Sequence, residues 1–379
     1  MSEHLDFYRE FGVSPVSQDT MVWQQHLQRR ESLYLSLGVP AVFVEGKRVL
    51  EVGPGSGQNS IYIASLQPLE LVLVEPNAAG REQIEENYKE WPTKLASPIV
   101  LSSTLQEFLG SRDDFDLAVA ELWLGRSQEG IHMLRGLRDL VRPGGIIILT
   151  ATAAVGLLAN CLRVALGLRL IEEKATFSSR VETLLAAFGS HLENLDDMSR
   201  YKGDWVIDNM LNPAALTEVI SPPELLNVMT GTHLFNTYPQ FFSSWDWYKS
   251  MYGDKMDPRA NWLTQYFSVS SNFLDTASTG GNENPDSGRL LESSCNDVIQ
   301  RVIRLRELGG GSLVDGELLA LTRSAATWIP KSKGPVLASI DEWISVYMKD
   351  DMSTESVAQM TDFSKWFGRE VLYMSFIRN

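Results

Sequence analysis

A glycine-rich turn is the first candidate for chemistry. Gly53, Gly55 and Gly57 follow the mostly apolar run Arg48–Val52 at every second position. Glycines so close together are costly in a strand or a helix, but they suit a backbone that turns sharply and touches a ligand with its main chain. An apolar helical pattern begins at Ile61. The stretch therefore predicts a strand, a glycine turn and a helix, which together form a nucleotide-type binding corner.

Two carboxylates accompany this turn. Glu51 lies within the first apolar run, and Glu75 closes the second, Leu71–Val74. A carboxylate at the tip of the second strand can accept both hydroxyls of a ribose, in NAD sites and in S-adenosylmethionine sites alike. A dinucleotide fingerprint needs a glycine where Gln58 or Ser60 stands, so neither register of that motif fits.

The run from Glu51 to Gly57 resembles motif I of the class I S-adenosylmethionine-dependent methyltransferases. Leu140 to Gly145, followed by an apolar strand, is similar to the turn before strand five of that superfamily. The resemblance is specific over residues 47–150. It implies an α/β, Rossmann-like fold whose seven-stranded, mostly parallel sheet has an antiparallel last strand. It also implies S-adenosylmethionine as the cofactor. In the superfamily the glycine turn passes under the methionine part and the ribose, and the residue at the position of Glu51 helps to hold the amino-acid end.

Three further positions are assigned by this resemblance. Glu121 follows the predicted fourth strand, whose tip lies beside the sulfonium in the superfamily. It is a candidate to bind the donor's ammonium group, to act as general base, or to cap or pair with the next helix. Ser103 and Thr104 stand where the superfamily often has an acidic residue on the adenine amine. A hydroxyl or a backbone group is the expected substitute.

Candidates for the acceptor site come from an aromatic and polar stretch, 199–213, which predicts a loop. Tyr201 and Asp208 are its candidate catalytic residues; the alternative is a surface loop pinned by Trp205. In the N-terminal helices, His26 and the Arg29–Arg30 pair are candidates to face an anionic substrate. The interpretation we favour for them is a solvated helix face.

The order of elements predicts five segments. They are an N-terminal helical lid (1–40), a Rossmann-like cofactor-binding core (41–155), a helical and loop insertion that returns to the core as strand six (156–250), a helical cap (251–365) and a C-terminal strand that completes the sheet (366–379). Residues 143–162 carry no charged side chain. We interpret them as a buried strand followed by a helix start, with a membrane span as the alternative.

Composition limits the partners. The net charge of −15 disfavours a nucleic-acid surface, because phosphates would be repelled unless one face were basic. The two cysteines are far apart and indicate neither a disulfide framework nor a thiolate metal site. We therefore expect a cytoplasmic enzyme with no metal, no membrane partner and no nucleic-acid partner, acting as a monomer or homodimer.

Methyl transfer from a sulfonium is an in-line displacement that needs alignment, exclusion of water and, for some acceptors, loss of a proton. The sequence favours O- or N-methylation of a small or medium polar metabolite. Two alternatives stay open. One is an enzyme that transfers or cyclises the aminobutyrate arm of S-adenosylmethionine and releases methylthioadenosine. The other is a non-catalytic scaffold that keeps the cofactor corner.

Overall fold

The computed structural model describes most of the 379 residues, in the ranges 3–11, 23–121, 125, 127–195, 197–198, 200–217, 219–253, 258–278, 280–311 and 313–379. The expected break at Ser14–Pro15 lies outside these residues. The chain divides into two compact units. The first contains Met1–Ala151, Glu218–Leu263 and Leu372–Asn379, and the second contains Thr152–Thr217 and Thr264–Val371.

The first unit is built on a seven-stranded sheet. Its strands are β1 (Arg48–Val52), β2 (Glu70–Val74), β3 (Ile99–Leu101), β4 (Phe115–Ala120), β5 (Val141–Thr152), β6 (Thr232–Tyr238) and β7 (Val371–Arg378), in the order β3-β2-β1-β4-β5-β7-β6. The pairs β3–β2, β2–β1, β1–β4 and β4–β5 are parallel, whereas β7 runs antiparallel to β6. This topology confirms the predicted fold class.

Burial explains why the central strands read as continuous apolar runs. In β1 every residue from Val49 to Val52 is buried, and β2 is buried from Leu71 to Val74. A parallel sheet covered on both faces requires this pattern. Val52 is in register with Val74 of β2 and with Ala120 of β4. The carboxyl ends of these three strands therefore meet at one edge of the sheet, where ligands bind in such folds.

Helices of the first unit occupy the connections. They are α1 (Glu3–Phe11), α2 (Trp23–Ser36), α3 (Ser60–Ser65), α4 (Ala78–Glu90), α5 (Leu105–Phe108), α6 (Gln128–Leu140) and later α11 (Pro222–Val228). Tyr34 of α2 and Tyr62 of α3 pack edge to face at 5.1 Å within the core cluster that also contains β1 and β2 side chains. The helix α2 is thus fixed on the glycine-turn side of the sheet core.

The second unit is helical. Its helices are α7 (Ala154–Leu170), α8 (Phe177–Phe188), α9 (Lys202–Val206), α10 (Ala214–Thr217), α13 (Pro285–Glu307), α14 (Gly316–Trp328), α15 (Gly334–Tyr347) and α16 (Thr354–Ala358), while α12 (Arg259–Val269) spans the boundary between units. In α7, all residues from Val155 to Gly167 are buried. A helix that is buried on all sides belongs at the centre of a helical unit.

The segment 199–213 differs from the loop that its sequence predicts. That prediction is wrong in part, because Lys202–Val206 is helical and Ile207–Leu211 continues it as a π-helical turn. The aromatic and polar composition hid a pattern whose inward residues are Trp205, Val206 and Met210.

The uncharged stretch 143–162 divides into β5 and the start of α7. This is the buried strand and helix start that we expected from the sequence. Within the described part of the chain, no helix is long and apolar enough to cross a bilayer.

Candidate functional site

The glycine turn adopts the conformation that its composition predicts. Gly53, Gly55 and Gly57 have φ of 69°, 59° and 74°. A side chain in this left-handed region costs about 1 kcal/mol or more. The N–H of Gly53 donates to the carbonyl of Val74 at 2.9 Å, which ties the turn to the end of β2. The turn therefore begins where β1 and β2 end.

The Glu75 side chain, directly after β2, forms hydrogen bonds with the glycine turn. Its Oε2 accepts from the N–H of Gly55 at 2.9 Å, and its Oε1 accepts from the N–H of Asn77 at 2.8 Å. The side chain is buried, and burial raises the pKa of Glu75 although the two N–H groups oppose that shift. Each carboxylate oxygen keeps a second lone pair. The geometry is compatible with the ribose role predicted for Glu75, which stays a prediction.

Sequence reasoning missed Gly80, which lets α4 approach the turn. A Cβ at this position would lie 3.0 Å from the carbonyl oxygen of Gly55 and 3.2 Å from Cγ of Glu75. Both contacts are tighter than ordinary packing, so only a residue without a side chain fits here easily. A glycine two residues after the start of a helix was the available signal, since Asn77 caps α4 through its side chain.

We expect Gly57→Ala to weaken both folding and cofactor binding. The new Cβ would lie 2.7 Å from Cγ1 of Ile84, at φ 74°. Gly46→Ala is the matched control, because Gly46 has φ 68° and no atom lies within 4 Å of the place that its Cβ would take. Both variants introduce a backbone strain of about 1–2 kcal/mol, but only Gly57→Ala must also displace Ile84 and the turn.

Urea unfolding measures the loss of stability in Gly57→Ala, and titration with S-adenosylhomocysteine measures its loss of ligand affinity. The Gly57 variant should lose more stability than the Gly46 variant and should bind the ligand at least about tenfold more weakly. Equal losses of stability in the two variants, with unchanged affinity, would contradict a tight ligand-binding turn at Gly57.

Glu51 is a buried carboxyl group with unused hydrogen-bonding capacity. Its side chain is 4% exposed, and Oε2 has no hydrogen-bond partner among the described residues. Burial and, second, the charge of Glu121 raise the pKa of Glu51 to about 7, while the nearby Ser60 hydroxyl and the charge of Arg30 oppose the shift. An unsatisfied buried carboxyl is costly. The geometry is compatible with the role predicted for Glu51 at the amino-acid end of the donor, which stays a prediction.

Glu121 pairs with an arginine that sequence reasoning placed on the solvated side of α2. The guanidinium of Arg30 donates from Nη2 to Oε1 at 2.5 Å and from Nη1 to Oε2 at 3.1 Å. The side chains of Arg30 and Glu121 are 8% and 10% exposed. The Glu121 carboxylate raises the pKa of Arg30 well above its usual range, even though burial opposes it. The solvated interpretation of Arg30 is wrong.

His26 lies one helical turn before Arg30 and is also buried. Its Nε2 lies 3.0 Å from the carbonyl oxygen of Gln58, so Nε2 carries the proton and donates. Burial lowers the pKa of His26, as do the charges of Arg30 and Arg29. Arg29 itself is exposed. The buried stripe His26, Arg30 and Tyr34 has helical spacing, but its polar members escape a search for apolar periodicity.

The hydroxyl of Thr104 has a structural partner. It accepts from the N–H of Glu107 at 3.2 Å and donates to Oε2 of Glu107 at 2.9 Å, forming a capping box at α5. Ser103 is half-buried beside it. If the adenine contact is made in this segment, Ser103 or the backbone is the better candidate than the Thr104 side chain. The assignment of both residues stays a prediction.

Tyr201 and Asp208 belong to the second unit. Tyr201 is largely exposed and precedes α9. Asp208 accepts from Nη1 of Arg200 at 3.1 Å, in an ion pair whose side chains are 24% and 20% exposed. Trp205 is buried and packs edge to face with Phe367. The structure thus joins Asp208 to Arg200 and anchors Trp205, while the catalytic roles remain predictions.

Comparison with known proteins adds one family. Residues 24–183 match the sequence profile of a family described as "Methyltransferase domain". The match begins in α2 and ends in α8, so it includes the glycine turn, Glu75 and Glu121. No curated protein matches the chain in sequence.

Solved structures that resemble part of the chain include two enzymes of this kind. An S-adenosylmethionine-dependent methyltransferase from Mesorhizobium loti is 16% identical, with a TM-score of 0.26, over 31% of this chain and 52% of that one. Magnesium protoporphyrin IX methyltransferase from Synechocystis PCC 6803 with bound SAM is 19% identical, with a TM-score of 0.29, over 39% and 70%. In three of these matches, the chain covers about half the length of the solved structure.

Proposed function

We propose that the protein transfers a methyl group from S-adenosylmethionine to a small or medium polar metabolite, since residues 24–183 match the profile of a methyltransferase domain. The observation that carries the proposal is the polar edge formed by β1, β2 and β4. There a glycine turn, the Glu75 carboxylate and the incompletely bonded Glu51 carboxyl lie at the carboxyl ends of neighbouring strands.

The residues of this edge fit the cofactor. The second lone pairs of Glu75 suit the two ribose hydroxyls, and the backbone of the glycine turn allows close approach. Oε2 of Glu51 suits an ammonium group. When bound, S-adenosylmethionine supplies a methyl group on a positively charged sulfur.

Glu121 has two proposed roles. Both of its oxygens accept from Arg30, so the carboxylate is held in one orientation at the end of β4. In that position it can assist the ammonium group of the donor or take a proton from an acceptor hydroxyl or amine. Removal of a base lowers kcat, whereas removal of a donor ligand lowers affinity.

The acceptor class and the compartment belong to the same proposal. A net charge of −15 argues against polyanionic acceptors. Both cysteines are free and buried, in keeping with a reducing cytoplasm. Methylation at oxygen or nitrogen by in-line displacement needs positioning and, for some acceptors, a base, and Glu121 is the candidate for that base.

The test is to incubate the purified chain with S-adenosylmethionine and a bacterial small-molecule extract, then to follow adenosine products by mass spectrometry. We expect S-adenosylhomocysteine only when extract is present, with one metabolite heavier by a methylene. Methylthioadenosine would instead indicate chemistry on the aminobutyrate arm. Cofactor binding without any turnover would favour a scaffold.

Glu121→Gln is the variant for this assay, with Glu82→Gln on the exposed side of α4 as its control. Loss of a general base should lower kcat about 100-fold or more and leave the affinity for S-adenosylhomocysteine unchanged. A loss of affinity with unchanged kcat would assign Glu121 to cofactor binding. Full activity and affinity in the variant would exclude both roles.

A further inference from the structure

The segment that follows β6 exposes a dense group of aromatic side chains. Trp245, Trp247, Tyr248 and Tyr252 lie within eight consecutive residues of the first unit, and their exposed fractions range from 64% to 96%. Met251 is exposed with them. We call residues 245–252 the aromatic segment. Single exposed apolar residues are ordinary on a protein surface, but so large a contiguous group marks an interaction site.

Local contacts hold the aromatic segment to the first unit. Just before it, Nε2 of Gln240 donates to the carbonyl oxygen of Ser36 in α2 at 2.7 Å, and the ring of Phe241 packs on that of Trp262 at 5.2 Å. Within the segment, the rings of Trp247 and Tyr248 lie 5.1 Å apart, at the start of a 3-10 turn over 248–250. The fold therefore presents these rings to solvent from an anchored position.

Strand β6 leads into this segment and lies at the edge of the sheet. Its only neighbour in the strand order is β7. Solvent-exposed edge strands are usually very short or carry charged residues, which discourages pairing with another chain. The opposite edge strand β3 has three residues, whereas β6 has seven and contains neither acidic residues nor lysine or arginine. Phe235 and Tyr238 of β6 are also exposed, so apolar surface begins before the segment itself.

The charge of the aromatic segment is balanced, unlike that of the chain. Its two charged residues are Asp246 and Lys249, whereas the whole chain has a net charge of −15. Nζ of Lys249 lies 5.9 Å from the ring centres of both Trp247 and Tyr248. Two copies of a strongly acidic chain repel each other on average. A neutral segment with one charge of each sign is the surface at which that repulsion is weakest.

The exposed area approaches what a stable dimer requires. The four aromatic residues of the segment together expose roughly three whole side chains, about 450–750 Å² at 150–250 Å² each. A standard interface buries about 800 Å² on each partner. The aromatic segment alone supplies more than half of this, and Phe235, Tyr238 and Met251 add to it. Tryptophan, tyrosine and methionine are also the residue types that are enriched in interface cores.

We propose that the aromatic segment is the centre of a two-fold symmetric homodimer interface. A two-fold axis brings the same surface of each copy together, so the surface must complement itself. Aromatic rings that pack on aromatic rings, and a segment that carries one acidic and one basic residue, meet this condition. A lipid surface is the less favoured occupant, because anionic headgroups repel a chain of charge −15. The proposal does not depend on methyl transfer.

Sedimentation velocity of the full chain, over concentrations from about 0.1 to about 100 μM, is the first measurement. We expect the mass to rise with concentration from 42.4 kDa to twice that value. Hydrogen exchange at the two ends of this range locates the interface. Backbone amides of residues 245–252 should exchange more slowly in the concentrated sample, because association excludes water from them.

Trp245→Glu combined with Tyr252→Glu is the disrupting variant. It removes two exposed rings and gives each copy two negative charges that face their equivalents across the axis. The dissociation constant of the dimer should therefore rise about 100-fold or more. Leu69→Glu is the control, because Leu69 is an equally exposed apolar residue of the first unit that directly precedes β2. Its variant should dimerise as the unaltered chain does. Circular dichroism checks that both variants are folded.

Three results would overturn the proposal. They are a chain that stays monomeric over the whole concentration range, a dimer that the double variant does not weaken, and protection from exchange that excludes residues 245–252. Flotation of a monomeric chain with phosphatidylcholine vesicles would assign the aromatic segment to a lipid surface instead. If the double variant does not fold, hydrogen exchange on the unaltered chain decides alone.

Discussion

Glu75→Gln should reduce the affinity for S-adenosylhomocysteine about 100-fold or more. In the unaltered chain the Glu75 carboxylate accepts from the N–H groups of Gly55 and Asn77 and offers its remaining lone pairs to a ribose. Hydrogen bonds to a charged group contribute about 1.5–3 kcal/mol each. The glutamine keeps one carbonyl acceptor but presents an NH2 group to a backbone N–H. It therefore disturbs the turn and the ribose contact together.

Calorimetric titration gives the affinity, and Glu70→Gln is the matched control. Glu70 begins the same strand and pairs with Arg112 at 2.8 Å, at the opposite end of β2 from Glu75. Its variant should bind the ligand as the unaltered chain does. Circular dichroism at the titration temperature checks that both variants are folded. A change in affinity smaller than about threefold for Glu75→Gln would remove Glu75 from the ribose site.

Glu51→Gln should change how stability depends on pH. Burial raises the pKa of Glu51 from 4.5 to about 7 in the folded chain. Between these values the folded chain holds the proton and the unfolded chain has lost it. The stability that this group contributes is therefore complete below pH 4.5 and is lost as the pH rises to about 7. The loss amounts to about 3 kcal/mol.

The glutamine variant lacks this proton, so its stability relative to the unaltered chain should rise by about 3 kcal/mol between about pH 4.5 and about pH 8. Urea unfolding without ligand at several pH values measures the difference. Glu70→Gln is an informative control of opposite sign, because Arg112 lowers the pKa of Glu70. Its favourable contribution exists above the unfolded pKa and disappears as the pH falls. A pH-independent difference between Glu51→Gln and the unaltered chain would contradict the prediction.

The pH dependence of cofactor binding provides a second measure of the ionisation of the Glu51 carboxyl group. An ammonium group beside Glu51 favours the ionised carboxylate, so binding below about pH 7 should release a proton. The affinity of the unaltered chain for S-adenosylhomocysteine should therefore increase from about pH 6 to about pH 8. In Glu51→Gln this increase should be absent, and the affinity should be lower at the higher pH.

Much of the sheet and the glycine turn could be predicted from the sequence because local rules determine them. A mostly apolar run of five residues, a glycine turn and a helix are contiguous, and β1 covers Arg48–Val52 as its sequence predicts. Strand β5 begins earlier than the apolar strand that the sequence predicts after Gly145. It begins at Val141 because Val141 pairs with Phe115 of β4, and an irregularity in register separates this pair from that of Leu117 with Ile146.

The rest of the site could not be predicted because its partners are distant in sequence. Arg30 meets Glu121 across 91 positions, and His26 meets the carbonyl oxygen of Gln58 across 32. Polar residues on a helix are predicted to be exposed to solvent unless a partner is known, and the local sequence does not identify that partner. Gly80 illustrates the same limit, because its need for space comes from Gly55 and Glu75 rather than from its own helix.

The position of β7 between β5 and β6 has a consequence for the order of folding. Strand β6 ends at Tyr238, but its hydrogen-bonded neighbour begins about 130 residues later, at Val371. Until that segment arrives, the edge of β5 is open and β6 has no place in the sheet. Closing so long a loop is entropically slow and leaves strand edges exposed to aggregation in the meantime. We therefore expect insertion of β7 to be the late, rate-limiting event of refolding in the first unit, after β1 to β5 have already assembled.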